Sequence, residues 1–110
     1  MVKGIGIDIV SIRRIKEMFD QYGEKFVERV LSSNEKEEFK KRVKKVEFLA
    51  GRFAVKEAIT KVLEKPVAFR DLEILDDEYE KPYIKGLSNI IISISHEEEF
   101  AVAVAIRIKI

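Results

Sequence analysis

"FAVAVAIRIKI", residues 100–110, alternates without a break. Phe100, Val102, Val104, Ile106, Ile108 and Ile110 fall on one face. Ala101, Ala103 and Ala105 fall on the other, which gives way to Arg107 and Lys109. A period of two is the mark of a strand, and β-branched side chains suit its pleated surface. The alanine face admits close approach by a helix or by another subunit. Just upstream, "NIIISIS" at 89–95 reads as a buried strand, and residues 71–76 and 80–85 as a strand pair around a polar turn. The C-terminal third is therefore β.

The other end of the chain is also strand-like. In residues 2–10, Ile5, Ile7 and Ile9 point one way, and Gly4, Gly6, Asp8 and Val10 the other. "GIGIDIV", residues 4–10, places a carboxylate inside an apolar run, which is costly unless something pairs with it. Gly4 and Gly6 carry no side chains, so the Asp8 face is nearly bare and reads as clearance for a ligand.

Between these ends the period changes to that of a helix. Ser11 is a candidate N-cap, Ile12, Ile15, Met18, Phe19 and Tyr22 recur at helical spacing, and Gly23 can end the segment. After a short stretch at 24–31, Ser32 with Glu35, or Asn34 with Glu37, would open a new helix through a capping box. From there to Leu63 no proline intervenes. Phe39, Val43, Val46, Leu49, Ala50, Phe53, Ala54, Ala58, Val62 and Leu63 form an apolar stripe long enough for one helix or two. Gly51 marks a bend or a close packing contact. Pro66 breaks the pattern. A strand, then helices including a long one, then an antiparallel sheet predict an α+β fold in a single domain, 1–110.

Composition narrows the function classes. Twenty-one basic and 20 acidic residues leave a net charge of +1, so no whole-molecule field draws the chain to nucleic acid or membrane. With no cysteine there is neither a disulfide framework nor a thiolate metal site, which suits a reducing cytosol. Apolar runs are too short to span a bilayer as a helix, and the N-terminus lacks a signal-peptide layout. Scarce Gln and Asn beside abundant Lys and Glu resemble heat-adapted compositions.

Chemistry concentrates on a few side chains. In "RFAVKEAITK", residues 52–61, Arg52, Lys56, Glu57 and Lys61 fall within about two and a half helical turns. Glu57 and Lys61, at i and i+4, have a plain reading as a surface ion pair. Asp8 alone has one as a cap or as the partner of a buried Lys or Arg. Taken together, one carboxylate on a cleared strand and another on a helix among cations suit Mg²⁺, which takes one or two carboxylates plus substrate phosphates. Neighbouring Arg and Lys would bind the remaining phosphate charge. His96, the sole histidine, follows "IISIS" at a strand end, where it can meet a ligand; zinc would need further His or Cys. The cations of residues 34–47 alternate with glutamates and read as a solvated helix face, with nucleic-acid binding as the alternative.

"GIGIDIV" at 4–10, "EFLAGRFAVKEAITK" at 47–61 and "ISISH" at 92–96 resemble the motifs of the holo-acyl-carrier-protein synthases, the small bacterial type of 4′-phosphopantetheinyl transferase. Motif order, chain length and "FRDLEIL…KPYI" extend the likeness over nearly the whole chain. The resemblance implies the phosphopantetheinyl transferase fold. It also implies Mg²⁺-dependent transfer of 4′-phosphopantetheine from coenzyme A to a serine of apo acyl carrier protein, a cytoplasmic step of fatty acid biosynthesis. It makes Asp8 and Glu57 the metal ligands and Lys61 the lysine beside the phosphates. Arg52 and His96 match positions near the nucleotide end, and Arg14 matches a basic position that meets the carrier protein. It further implies a homotrimer with active sites between subunits. The chain departs from the family pattern at Glu80 and Glu97, where Gly and Thr or Ser are usual, and in the short "EKPVA" segment. A non-catalytic module that binds a phosphorylated or acidic partner through Arg14, Arg52 and Lys61 is the competing reading.

Overall fold

The computed structural model describes residues 1–110. Strand β1 (Val2–Ser11) leads into four helices, α1 (Ile12–Tyr22), α2 (Glu24–Val30), α3 (Ser33–Lys41) and α4 (Lys45–Thr60). The chain returns through a 3-10 turn at Phe69–Asp71 and strands β2 (Ile74–Asp76), β3 (Pro82–Ile84), β4 (Ile90–His96) and β5 (Phe100–Ile108). The fold is α+β. β5 is the middle strand of an antiparallel sheet, with β1 on one side and β4 on the other. The two ends of the chain thus meet, and Gly6 and Asp8 lie opposite Ala105 and Ala103. No helix is long and apolar enough to cross a membrane.

The local signals hold at the helix boundaries. Ser11 caps α1 by accepting from the Arg14 backbone N–H, and Gly23, at φ 57°, takes the left-handed turn that separates α1 from α2. Ser32 and Glu35 form the capping box of α3, whereas Asn34 turns away to Glu73. The long helical pattern is two helices. Arg42 adopts extended backbone, and Val43, placed on the stripe by its spacing, is 97% exposed in the break. The break lets α3 fold back so that Phe39 packs on Phe19 and Phe48.

Helix α4 runs through the core and is buried on nearly every side. It covers the alanine face of β5, because small side chains there permit close approach. On β1, a Cβ at Gly6 would overlap the Ala58 carbonyl oxygen, and one at Gly4 would touch Val62. Beside Gly4 and Gly6 the bare face is therefore occupied by α4 and is not open to a ligand, which corrects the reading from sequence. A Cβ at Gly51 would lie 3.3 Å from Ile94, so this glycine marks close packing against β4.

The opposite face of the sheet is apolar and uncovered. Ile5, Ile7, Ile9 and Ile91 are 55–68% exposed, around half-buried Val102, Val104 and Ile106. β4 is accordingly buried on one face only, with Ile90 and Ile92 inside and Ile91 outside, because nothing covers the other face of the sheet. β2 and β3 form a separate hairpin beside β4. In its turn Asp77 accepts from the backbone N–H groups of Tyr79 and Lys81. Glu80 sits there at φ 61°, in the left-handed region that favours glycine.

Candidate active site

The packing of β1 on α4 brings Asp8 and Glu57 to one cleft of about 360 Å³, which Ser11, Arg14, Met18 and Phe53 also line. Asp8 projects from mid-strand toward the helix, and Glu57 precedes Ala58, the residue against which Gly6 packs. The Asp8 carboxyl is raised above its ordinary value, first by burial, with Lys61 pulling the other way. Lys61 lies 3.7 Å from Asp8 and donates to the Ile7 carbonyl at 2.6 Å. The Glu57 side chain makes no ion pair within 4.0 Å and no hydrogen bond, so the surface pair with Lys61 suggested by spacing does not form. Lys61 instead crosses to β1.

Two carboxylates in one cleft, Asp8 paired only with Lys61 and Glu57 with no cation, are chemistry that can seat a divalent cation. No group of three or more His, Cys, Asp and Glu gathers anywhere. A two-carboxylate seat suits Mg²⁺, whose remaining positions go to water and phosphate oxygens.

Arg52 and His96 meet in a second cleft, about 460 Å³, whose lining includes Arg42, Lys44, Glu47 and Phe48. His96 ends β4 half-exposed, with Nδ1 4.0 Å from Glu47. Arg52 is deeply buried, its guanidinium 4.6 Å over the Phe48 ring and its Nε 3.5 Å from Glu35. Burial lowers its pKa, and Glu35 opposes that shift.

Behind Arg52 lies a cluster the sequence reading missed. Lys56 is fully buried and donates to the Val30 and Phe69 carbonyls and to Glu35. Glu35 also accepts from the backbone N–H groups of Ser32 and Ile74. Lys56 therefore faces away from Glu57, and of the three cations placed around Glu57 by spacing, only Lys61 reaches the Asp8 side. A signal was present. A helix apolar on every side leaves its charged residues no route to water, so they must find buried partners.

The sites fall into two groups: Asp8, Glu57 and Arg14 in one cleft with Lys61 beside Asp8, and Arg52 with His96 in the other. Four of the six cations of the 34–47 stretch pair with acids, Lys36 with Glu24 and Glu28, Lys40 with Glu37, Arg42 with Glu38 and Lys44 with Glu47. That is the solvated face.

Comparison with known proteins shows the family. Residues 4–105 match the model of the 4′-phosphopantetheinyl transferase superfamily. A holo-[acyl-carrier-protein] synthase of Mycoplasma capricolum is 46% identical over 97% of this chain and 96% of its own. The crystal structure of the synthase from Neisseria meningitidis superposes with a TM-score of 0.91 at 34% identity, covering 99% of this chain and 100% of that one. The synthase from Bacillus anthracis, in complex with CoA (3′,5′-ADP), superposes at 0.85 with 41% identity, over 97% and 96% of the two chains. The chain belongs to the 4′-phosphopantetheinyl transferase superfamily, as a member of its holo-[acyl-carrier-protein] synthase family.

Proposed function

We propose that residues 1–110 act as one transferase domain that moves 4′-phosphopantetheine from coenzyme A to a serine of apo acyl carrier protein, releasing adenosine 3′,5′-bisphosphate. The observation that carries this reading is the shared cleft of Asp8 and Glu57, with a Glu57 carboxylate that has no protein partner. Those two side chains hold Mg²⁺, which offsets charge developing on the leaving group when bound. Lys61, fixed by the Ile7 carbonyl, keeps its ammonium beside Asp8 and against the pyrophosphate. Arg52 and His96 take the nucleotide end, with its 3′-phosphate, in a cleft that Arg42 and Lys44 also line. Arg14, exposed on the rim of the Asp8 cleft, meets the acidic carrier protein. Most of the catalysis is positioning and electrostatics, as in other phosphoryl transfers.

The enzyme works in the cytoplasm, in fatty acid biosynthesis, as a homotrimer with its clefts between subunits. The uncovered branched face of the sheet supports such assembly, since a contiguous apolar patch of this kind marks a contact surface.

Mass spectrometry of apo acyl carrier protein after incubation with coenzyme A, Mg²⁺ and this protein tests the reading. The wild type adds one phosphopantetheine, and Asp8→Asn and Glu57→Gln each lose more than about a hundredfold in rate while remaining folded. Normal turnover by both variants sinks the metal assignment. Coenzyme A binding that ignores Mg²⁺ and yields no product favours the binding module.

A further inference from the structure

We propose that Glu35, outside both clefts' chemistry, is a positioning residue whose buried carboxylate sets the Arg52 guanidinium for the 3′-phosphate of coenzyme A; this rests on the nucleotide-end reading of the Arg52–His96 cleft.

Among ion pairs within 4.0 Å the charges in the cluster do not balance, and Asp76 and Glu38 act on Arg52 only from farther away. One carboxylate, Glu35, serves two buried cations, Lys56 and Arg52. Lys56 spends all three of its donors, on Val30 O, Phe69 O and Glu35. Arg52 spends none: its Nε is buried and has no hydrogen-bond partner, though Glu35 lies 3.5 Å away. The unused donors therefore belong to Arg52, the member of the cluster that lines the cleft, beside Asp76. An anion arriving there can take those donors, and a desolvated guanidinium gains more from it than an exposed one.

Two contacts set the direction of that guanidinium. The Phe48 ring lies beneath it, and Glu35 attracts its Nε edge. Glu35 is itself immobilised, by the Ser32 and Ile74 backbone N–H groups and by Lys56. Without the carboxylate, Arg52 would face the Lys56 ammonium with nothing between them, and repulsion would turn it away from this geometry. Glu35 thus acts on the ligand only through Arg52.

The test is the preference for coenzyme A over dephospho-coenzyme A, measured by calorimetry on the full chain with Mg²⁺ present, together with steady-state kinetics. Glu35→Gln should raise the KM for coenzyme A about tenfold, the scale of one charge-assisted hydrogen bond, with kcat within about twofold. It should also collapse the preference, as Arg52→Ala does. A merely structural Glu35 would lower the melting temperature and leave the preference intact, and that result overturns the proposal. An Arg52→Ala variant that keeps the preference overturns the nucleotide-end reading instead. In the wild type, which needs no variant to fold, the Arg52 Nε–H should give one slowly exchanging NMR resonance before ligand is added. A fast-exchanging, averaged signal rejects an anchored guanidinium.

Discussion

Asp8 shows how a single side chain of the proposed site carries a stability cost. Its carboxyl is raised above the ordinary value of 3.8, chiefly by burial, so folding favours its protonated form. The stability associated with that form is present below the unfolded value and is lost as pH rises through the raised folded value. At pH 7 the folded protein carries this carboxylate at a cost, offset in part by Lys61 and more fully by a bound cation. Asp8→Asn should therefore melt no lower than wild type at pH 7 in chelator, and millimolar Mg²⁺ should raise the wild-type melting temperature but not the variant's. Scanning fluorimetry decides this. A variant that melts well below wild type, or that keeps the Mg²⁺ shift, contradicts the account.

At the scale of elements, the seating of β1 on α4 decides whether the two carboxylates share one cleft. Gly6 makes the closest approach, and its added Cβ would strike backbone, which cannot rotate away. Gly6→Ala should cost about 1–3 kcal/mol, as overpacking does, and reduce turnover further by parting Asp8 from Glu57. Gly4→Ala, which meets only the Val62 side chain at 3.4 Å, should be far milder. Urea denaturation of the two variants side by side measures the difference, and equal costs would remove the argument.

Helix α3 offers a second case. Ser32 caps it and also donates to Glu73 at 2.6 Å, which holds the Glu73 carboxyl below its ordinary value of 4.5. Ser32→Ala should cost about 1–2 kcal/mol at pH 7. Because a depressed carboxyl stabilises above its unfolded pKa and stops doing so as pH falls through the folded one, the gap to wild type should narrow below pH 4.5. Melting curves against pH check the sign; a gap that widens in acid refutes it.

For the whole molecule, the uncovered sheet face matters most. Ile7 projects from it while its backbone carbonyl holds Lys61, so the side chain can change without removing that bond. Ile7→Glu should convert the proposed trimer to monomer in light scattering and lower turnover with it. An unchanged mass, or a wild type that is monomeric at tens of micromolar, argues against assembly through this face.

Much of this was legible in the chain itself. The alternation at Phe100–Ile108, the Ser32–Glu35 capping box, the turn at Gly23 and the motif residues Asp8 and Glu57 depend on neighbours within a few residues or on side-chain type. Hydrogen-bond reach and strand or helix period are properties of short stretches, so sequence alone determines them. Other features depend on contacts between distant segments. Only the tertiary structure decided that α4, rather than a ligand, fills the space beside Gly6, and that the alanine face is inside and the branched face outside. The same is true of Lys56 and Arg52, which turn from Glu57 toward Glu35, and of Lys61, which bonds a strand far away in the chain. Those outcomes follow from steric fit and from the cost of burying charge, and both are set only once the whole chain has packed.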